Sequence, residues 1–201
     1  DGFIVQLPLP KGINQENILN KVLPKKDVDG FNPINYGKMA LGIETFLPAT
    51  PAGIIELIKR YSIDLKGKKC LVIGRSQIVG RPISILLSQN KIFGNATVTV
   101  AHSRSNDLKE ICLDSDIIIS AIGIPEFIKE DMIKTGSIII DVGICRVEDD
   151  NSLKGYRIVG DVDFDSVYDK VSLITPVPGG VGPMTISMLL KNTLRASSLN
   201  D

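Results

Sequence analysis

The sequence predicts an α/β fold: a doubly wound parallel sheet with helices on both faces. Three observations carry this. From Lys68 onward, short aliphatic runs alternate with helix-patterned stretches, which is how repeated strand–helix–strand units read. The strand runs, such as 117–121 and 138–142, are apolar at almost every position, as strands covered on both faces must be. The connections are short, which suits neighbouring strands joined by helical crossovers.

Length and composition agree. The chain has 201 residues, 43% of them hydrophobic and 23% charged, enough for one large globular domain or one domain with part of another. Lys+Arg and Asp+Glu balance at 23 each, so no polyanion is expected as a partner and nucleic acid is set aside. The longest apolar runs are strand-length, too short for a bilayer, and no basic-then-apolar leader opens the chain. Cys70, Cys112 and Cys145 form no CxxC pair, and His102 is the one histidine. A disulfide framework and a zinc site are therefore not expected, and no residue is assigned to a metal. Three buried thiols in a reducing, cytoplasmic setting are the expectation.

The elements follow in order. Residues 3–7 read as a short strand closed by Pro8 and Pro10, already under way at the first residue, so the natural polypeptide is expected to begin upstream. Asn14 caps a helix running to about Val22, and residues 25–35 read as a polar, turn-rich loop. Thr50 and Pro51 read as N-cap and first residue of a helix ending near Tyr61. Strands are expected at 70–73, 96–101, 117–121, 138–142 and 173–174. Helices are expected at 78–89, with Ile83, Leu86 and Leu87 inward, and at 108–113, 127–133 and 183–197.

The first strand of the alternating region runs into Gly74-Arg75-Ser76-Gln77-Ile78-Val79-Gly80 and then a helix. A glycine-rich turn at that junction presents backbone N–H groups at a helix N-terminus, where the dipole favours an anion. The cofactor ligands expected here are Gly74, Arg75, Ser76, Val79 and Gly80. The second strand ends in Ala101-His102-Ser103-Arg104-Ser105, with no acid before Asp107. NAD sites place an Asp or Glu there for the ribose 2′-OH, whereas hydroxyl and guanidinium groups bind a 2′-phosphate. NADP is thus favoured, with Arg75 and Ser103 as ligands and Arg104 either a third ligand or a solvated side chain. His102 lies by the adenosine half, where a packing or hydrogen-bonding role is expected. The small residues around Gly123, and Asp141-Val142-Gly143, end later strands at the edge where cofactors lie.

Residues 175–185 hold three prolines and three glycines, a pre-shaped loop that admits close backbone contact with a ligand. With DGFIVQLPL (1–9), KDVDGF (26–31), TPAG (50–53) and GRSQIVG (74–80), this loop makes the chain closely resemble the bifunctional methylenetetrahydrofolate dehydrogenase/methenyltetrahydrofolate cyclohydrolase family over nearly its whole length. The resemblance implies NADP-dependent oxidation of 5,10-methylenetetrahydrofolate and hydrolysis of the methenyl product to 10-formyltetrahydrofolate. The implied setting is one-carbon metabolism and purine biosynthesis in a homodimer. It implies roles for Gln6 and Asp29 in catalysis. It assigns folate contacts to Gln6, Leu7, Pro8, Asp29, Pro178, Gly179 and Gly180, and adds Ile144 to the cofactor set. A carboxylate at Asp29 suits the adjacent N–H donors of a pterin. The family's Tyr-x-x-x-Lys pattern is not matched by Tyr36, Lys38 or Tyr61, so the catalytic lysine is expected upstream and the chain as given is expected to bind NADP without turnover. The organisation expected is the end of a folate-binding domain at 1–47, a Rossmann-like NADP domain at 48–176, and a cleft loop and returning helix at 177–201. Two other readings stay open: another two-domain NADP oxidoreductase such as a shikimate dehydrogenase, and a non-catalytic NADP-binding domain.

Overall fold

A computed structural model describes residues 1–199. Five parallel strands, β1 (Lys69–Ile73), β2 (Thr97–Ala101), β3 (Ile117–Ser120), β4 (Ile138–Asp141) and β7 (Leu173–Ile174), form one sheet in the order β2-β1-β3-β4-β7. The chain steps from β1 outward to β2 and then crosses back to place β3 on the other side of β1. This reversal opens a crevice above the carboxyl ends of β1 and β3, the place where ligands bind in doubly wound sheets.

The apolar runs become strands because both faces are buried. Cys70, Val72, Ile117, Ile119 and Ile140 enter one core layer with Ile54, Ile58, Ile83 and Leu87. Leu71, Ile73, Ile118 and Ile139 alternate into the opposite layer, with Cys112, Ile128 and Val167. Each such isoleucine or leucine contributes roughly 1.5–3 kcal/mol by leaving water. The first layer is covered by α3 (Ala49–Arg60) and α4 (Gly80–Ser88), the second by α5 (Leu108–Leu113) and the segment through α6 (Phe164–Val167). All three cysteines are buried free thiols, and burial pushes Cys70 up to about 12 and Cys112 to about 11. No helix among the described residues is long and apolar enough to cross a membrane.

Several expectations are corrected. Residues 3–7 are not a strand: Phe3 makes a single parallel bridge to Asp27, and a strand needs a ladder of such pairs. The loop expected at 25–35 is interrupted by a 3-10 turn, Pro24–Lys26, and ends in α2 (Pro33–Ala40). Asn32 caps α2 by accepting from Ile34 N at 2.8 Å, and Pro33 occupies the first position, where a missing N–H costs nothing. Thr50 is not the N-cap of α3. The helix begins at Ala49, and the Thr50 hydroxyl instead meets Thr185 Oγ1 at 2.9 Å. Residues 127–133 form only a 3-10 turn at Glu130–Met132. Ile128 is held extended there, its N–H donating to Asp161 O and its carbonyl accepting from Asp163 N. An antiparallel hairpin, β5 (Cys145–Glu148) and β6 (Tyr156–Val159), was not foreseen. The helix α1 (Gln15–Lys21) is capped by Asn14, which accepts from Asn17 N.

The last helix, α7 (Val181–Ser198), begins two residues before Pro183 and runs back along α3 to the N-terminal segment. Gly53 permits the crossing, since a Cβ there would press on Met184. Asn192 Nδ2 donates to Val28 O and Leu47 O, and Arg195 donates to Thr45 O while pairing with Glu44.

Candidate dinucleotide and folate site

The turn between β1 and α4 is built by backbone contact. Gly74 has φ +116°, and a Cβ on it would strike Ala121 O. A Cβ on Gly80 would strike Gly74 O and come within 2.9 Å of Arg75 N. Two glycines six positions apart in a turn are thus required by its tightness, independent of any ligand. Ser76 Oγ accepts from Val79 N at 3.1 Å and Gly80 N at 3.3 Å, so Ser76 organises the turn. The N–H groups of residues 75–78 have no acceptor among the described residues. They are the donors left for an anion.

Beyond the carboxyl ends of β1, β2 and β3 lies a cavity of about 330 Å³, bordered by Gly74, Arg75, His102, Ser103, Ile122 and Ile124. It brings Arg75 and Ser103 together from two strand ends. Arg104 is exposed and does not border it. His102 shapes its own turn, its Nδ1 accepting from Arg104 N and its N–H donating to Ser105 Oγ. Gly123, φ +70°, lies in the loop between Ile122 and Ile124. Ile144 is exposed just before β5, outside that cavity.

A larger cleft, about 690 Å³, separates the N-terminal segment from the phosphate turn. Leu7, Phe31 and Tyr36 border it on one side, Gln77, Ile78 and Arg81 on the other. Tyr36 Oη is buried with no hydrogen-bond partner among the described residues. Burial pushes its phenol up, and the Arg81 charge pulls the other way. Arg81 was not singled out from the sequence, and Tyr36 entered there only as a tyrosine whose spacing to Lys38 fails the family pattern; it sits on α2, and only that helix turns it toward the turn. Gly179 and Gly180 line a separate cavity of about 290 Å³ with Met184, and Pro178 precedes them. Among the described residues, Gln6 Nε2 donates to Leu7 O alone, at 3.3 Å. Pro8 follows in the same segment.

The two aspartates of KDVDGF differ. Asp27 is 4% exposed and accepts from Phe31 N, Asn32 N and Asn35 Nδ2. Asp29 is half-buried and has no hydrogen-bond donor among the described residues. Burial, reinforced by the Asp27 charge, pushes the Asp29 carboxyl up to about 6. A carboxylate that folding dehydrates and does not satisfy is suited to a ligand's donors.

Residues 48–201 match the family model described as tetrahydrofolate dehydrogenase/cyclohydrolase, NAD(P)-binding domain. The bifunctional protein FolD of Flavobacterium johnsoniae is 60% identical over 199 residues, covering 99% of this chain and 68% of that protein. The chain belongs to this family. The FolD of Bacteroides thetaiotaomicron is 56% identical over 98% of the chain and 67% of its own length. Among solved structures, the Campylobacter jejuni bifunctional enzyme superposes with a TM-score of 0.90 at 48% identity, over 100% of this chain and 68% of that one. The Trypanosoma brucei enzyme, complexed with NADP cofactor and inhibitor, gives 0.92 at 41% identity, over 99% and 67%. A shikimate dehydrogenase from Aquifex aeolicus gives 0.51 at 14% identity over 72% of this chain and 54% of that one, a likeness of fold alone. The chain spans about two thirds of the length of its family relatives.

Proposed function

We propose that this chain carries the NADP site and part of the folate site of a 5,10-methylenetetrahydrofolate dehydrogenase and 5,10-methenyltetrahydrofolate cyclohydrolase. The observation that supports the cofactor most is the tight glycine turn at the sheet's reversal point, with Arg75 and Ser103 brought to one cavity and no acid ending β2. The two glycines let the turn close, and the closed turn leaves the N–H groups of 75–78 as donors at a helix N-terminus, so the residues present fit the group. NADP, when bound, supplies the hydride acceptor for the folate methylene carbon. The chain's own residues do the rest. The N–H groups of 75–78 hold the pyrophosphate, and Arg75 and Ser103 hold the 2′-phosphate. Gly74, which borders the cavity, Val79 and Gly80 of the same turn, and Gly123 and Ile144 complete the cofactor set, Ile144 on the family resemblance and from outside that cavity. Asp29 accepts from the pterin N–H donors, while Gln6, Leu7, Pro8, Pro178, Gly179 and Gly180 border the folate. Asp29 is supported by its unsatisfied carboxylate, the others by the family resemblance. Residues 1–47, 48–176 and 177–201 serve as folate-side segment, NADP domain and returning helix; the bonds from Asn192 and Arg195 to residues 28, 45 and 47 support the last. A homodimer and a cytoplasmic setting belong to the same reading.

Titrating the chain with NADP and NAD tests it. NADP should bind more tightly, and Arg75→Ala should remove roughly tenfold to a hundredfold of NADP affinity while sparing NAD, the effect of losing a charge-assisted hydrogen bond. Equal binding of both dinucleotides by the unaltered chain would overturn the 2′-phosphate assignment.

A further inference from the structure

Asp161 is 0% exposed, 41 positions from Ser120, and no sequence motif singled it out. Its Oδ2 accepts from Ser120 Oγ at 3.0 Å and from Ile122 N at 2.8 Å, and its Oδ1 accepts from Ile124 N at 3.0 Å. The three donors span the end of β3 and the crossover loop beyond it. Asp161 is itself held: its N–H donates to Asp141 Oδ1 at 3.0 Å, and Val162 N and Gly143 N donate to the same carboxylate. Asp141 N in turn donates to Thr175 Oγ1 at 2.8 Å. The relay is closely packed, since a Cβ at Gly143 would meet the Asp161 carboxylate and one at Gly160 the Asp141 carboxylate.

The loop so pinned is the one that contributes Ile122 and Ile124 to the cavity shared by Arg75 and Ser103. We propose that Asp161 is a positioning residue of the dinucleotide site, fixing the 121–125 loop as the wall against which the adenosine half of NADP rests. This rests on the NADP reading above. The alternative is that Asp161 merely ties the sheet together. The bonds argue against it, because two of the three donors are loop amides beyond the last paired residue of β3, and the β3 ladder to β1 and β4 is complete without them. A carboxylate is needed because one group must accept three donors at once. An asparagine of the same size would turn an NH2 toward at least one of them.

The test is Asp161→Asn in the 201-residue chain, titrated with NADP and with 2′,5′-ADP, alongside amide hydrogen exchange. Affinity for both ligands should fall about tenfold or more, as expected when a buried donor is left facing a donor. Exchange at Ile122 and Ile124 should quicken while β1 and β3 stay protected. Unchanged affinity in the folded variant overturns the proposal, and so does exchange that quickens equally across the sheet. If Asp161→Asn does not fold, Ser120→Ala decides: about threefold weaker binding of 2′,5′-ADP supports the role, and unchanged binding removes it. An unaltered chain that binds neither ligand overturns the cofactor reading and this inference with it. Binding by the unaltered chain with the variants unaffected overturns the role of Asp161 alone.

Discussion

The carboxyl edge of the sheet and the N-terminal segment treat their polar groups in opposite ways. At the sheet edge, the buried carboxylates Asp141 and Asp161 are saturated by backbone and hydroxyl donors, and the groups left open are backbone N–H groups of the phosphate turn. In the N-terminal segment the loop leading into α2 is tied down by Asp27, while the groups left open are side chains, the Asp29 carboxylate and the Tyr36 hydroxyl. On the proposed function, one region offers its main chain to a ligand, as suits a phosphate whose recognition needs only aligned amides. The other offers side chains, as suits a heterocycle whose donors and acceptors differ around the ring.

If that contrast holds, the most damaging small substitution lies where backbone meets backbone. Gly80→Ala would drive a methyl group into Gly74 O and Arg75 N, neither of which can swing aside. We expect a loss of about 3 kcal/mol or more in stability, with NADP affinity falling at least about a hundredfold. Urea unfolding and a dinucleotide titration measure both. A mild effect, smaller than that of the Asp27 substitution below, would mean the turn is not set by these contacts.

The same contrast explains what was legible in the sequence. Strands β1, β3 and β4 were readable because burial on both faces leaves them almost wholly apolar, and the exposed edge strand β2 because its valines and threonines favour a pleated surface; α5 occupies 108–113 as its pattern predicts. Helix α2 was hidden by Pro33, Asn35 and Gly37, which read as loop; its start depends on the Asn32 cap. The segment at 127–133 carries helical spacing but is held extended by bonds from Asp161 and Asp163, which lie over thirty positions away. Arg75 and Ser103 were approachable because both follow strand ends, whose order fixes their neighbourhood. Asp161 and Tyr36 were not, because their roles depend on partners that only the tertiary fold supplies.

A smaller effect is expected from Asp27→Ala. The carboxylate accepts from Phe31 N, Asn32 N and Asn35 Nδ2 at 3.1, 2.8 and 2.8 Å, so its removal strands buried donors. The expected cost is about 2–3 kcal/mol, read as a fall in melting midpoint of about 4–12 °C for a chain of this size. Dinucleotide affinity should be unchanged at temperatures where the variant is folded, because Asp27 bonds only within the N-terminal segment. A matching loss of NADP affinity would show that the two regions are not independent.

The smallest effect has the opposite sign and sharpens the comparison most. Asp29 has its carboxyl pushed up from 3.8 to about 6 by burial and by Asp27. Folding therefore disfavours its ionised form. The destabilisation is absent below about pH 3.8, grows between 3.8 and about 6, and is complete above that. Asp29→Asn removes the charge, so its melting midpoint should exceed that of the parent by about 2–4 °C at pH 7.5, the difference shrinking to nothing near pH 4. Differential scanning calorimetry at the two pH values measures this. Asp27 is structural and its loss destabilises; Asp29, two residues on, should stabilise when neutralised, which is what a residue kept for a ligand does when the ligand is absent. A variant that melts lower than the parent at pH 7.5 would mean that Asp29 has a structural partner after all.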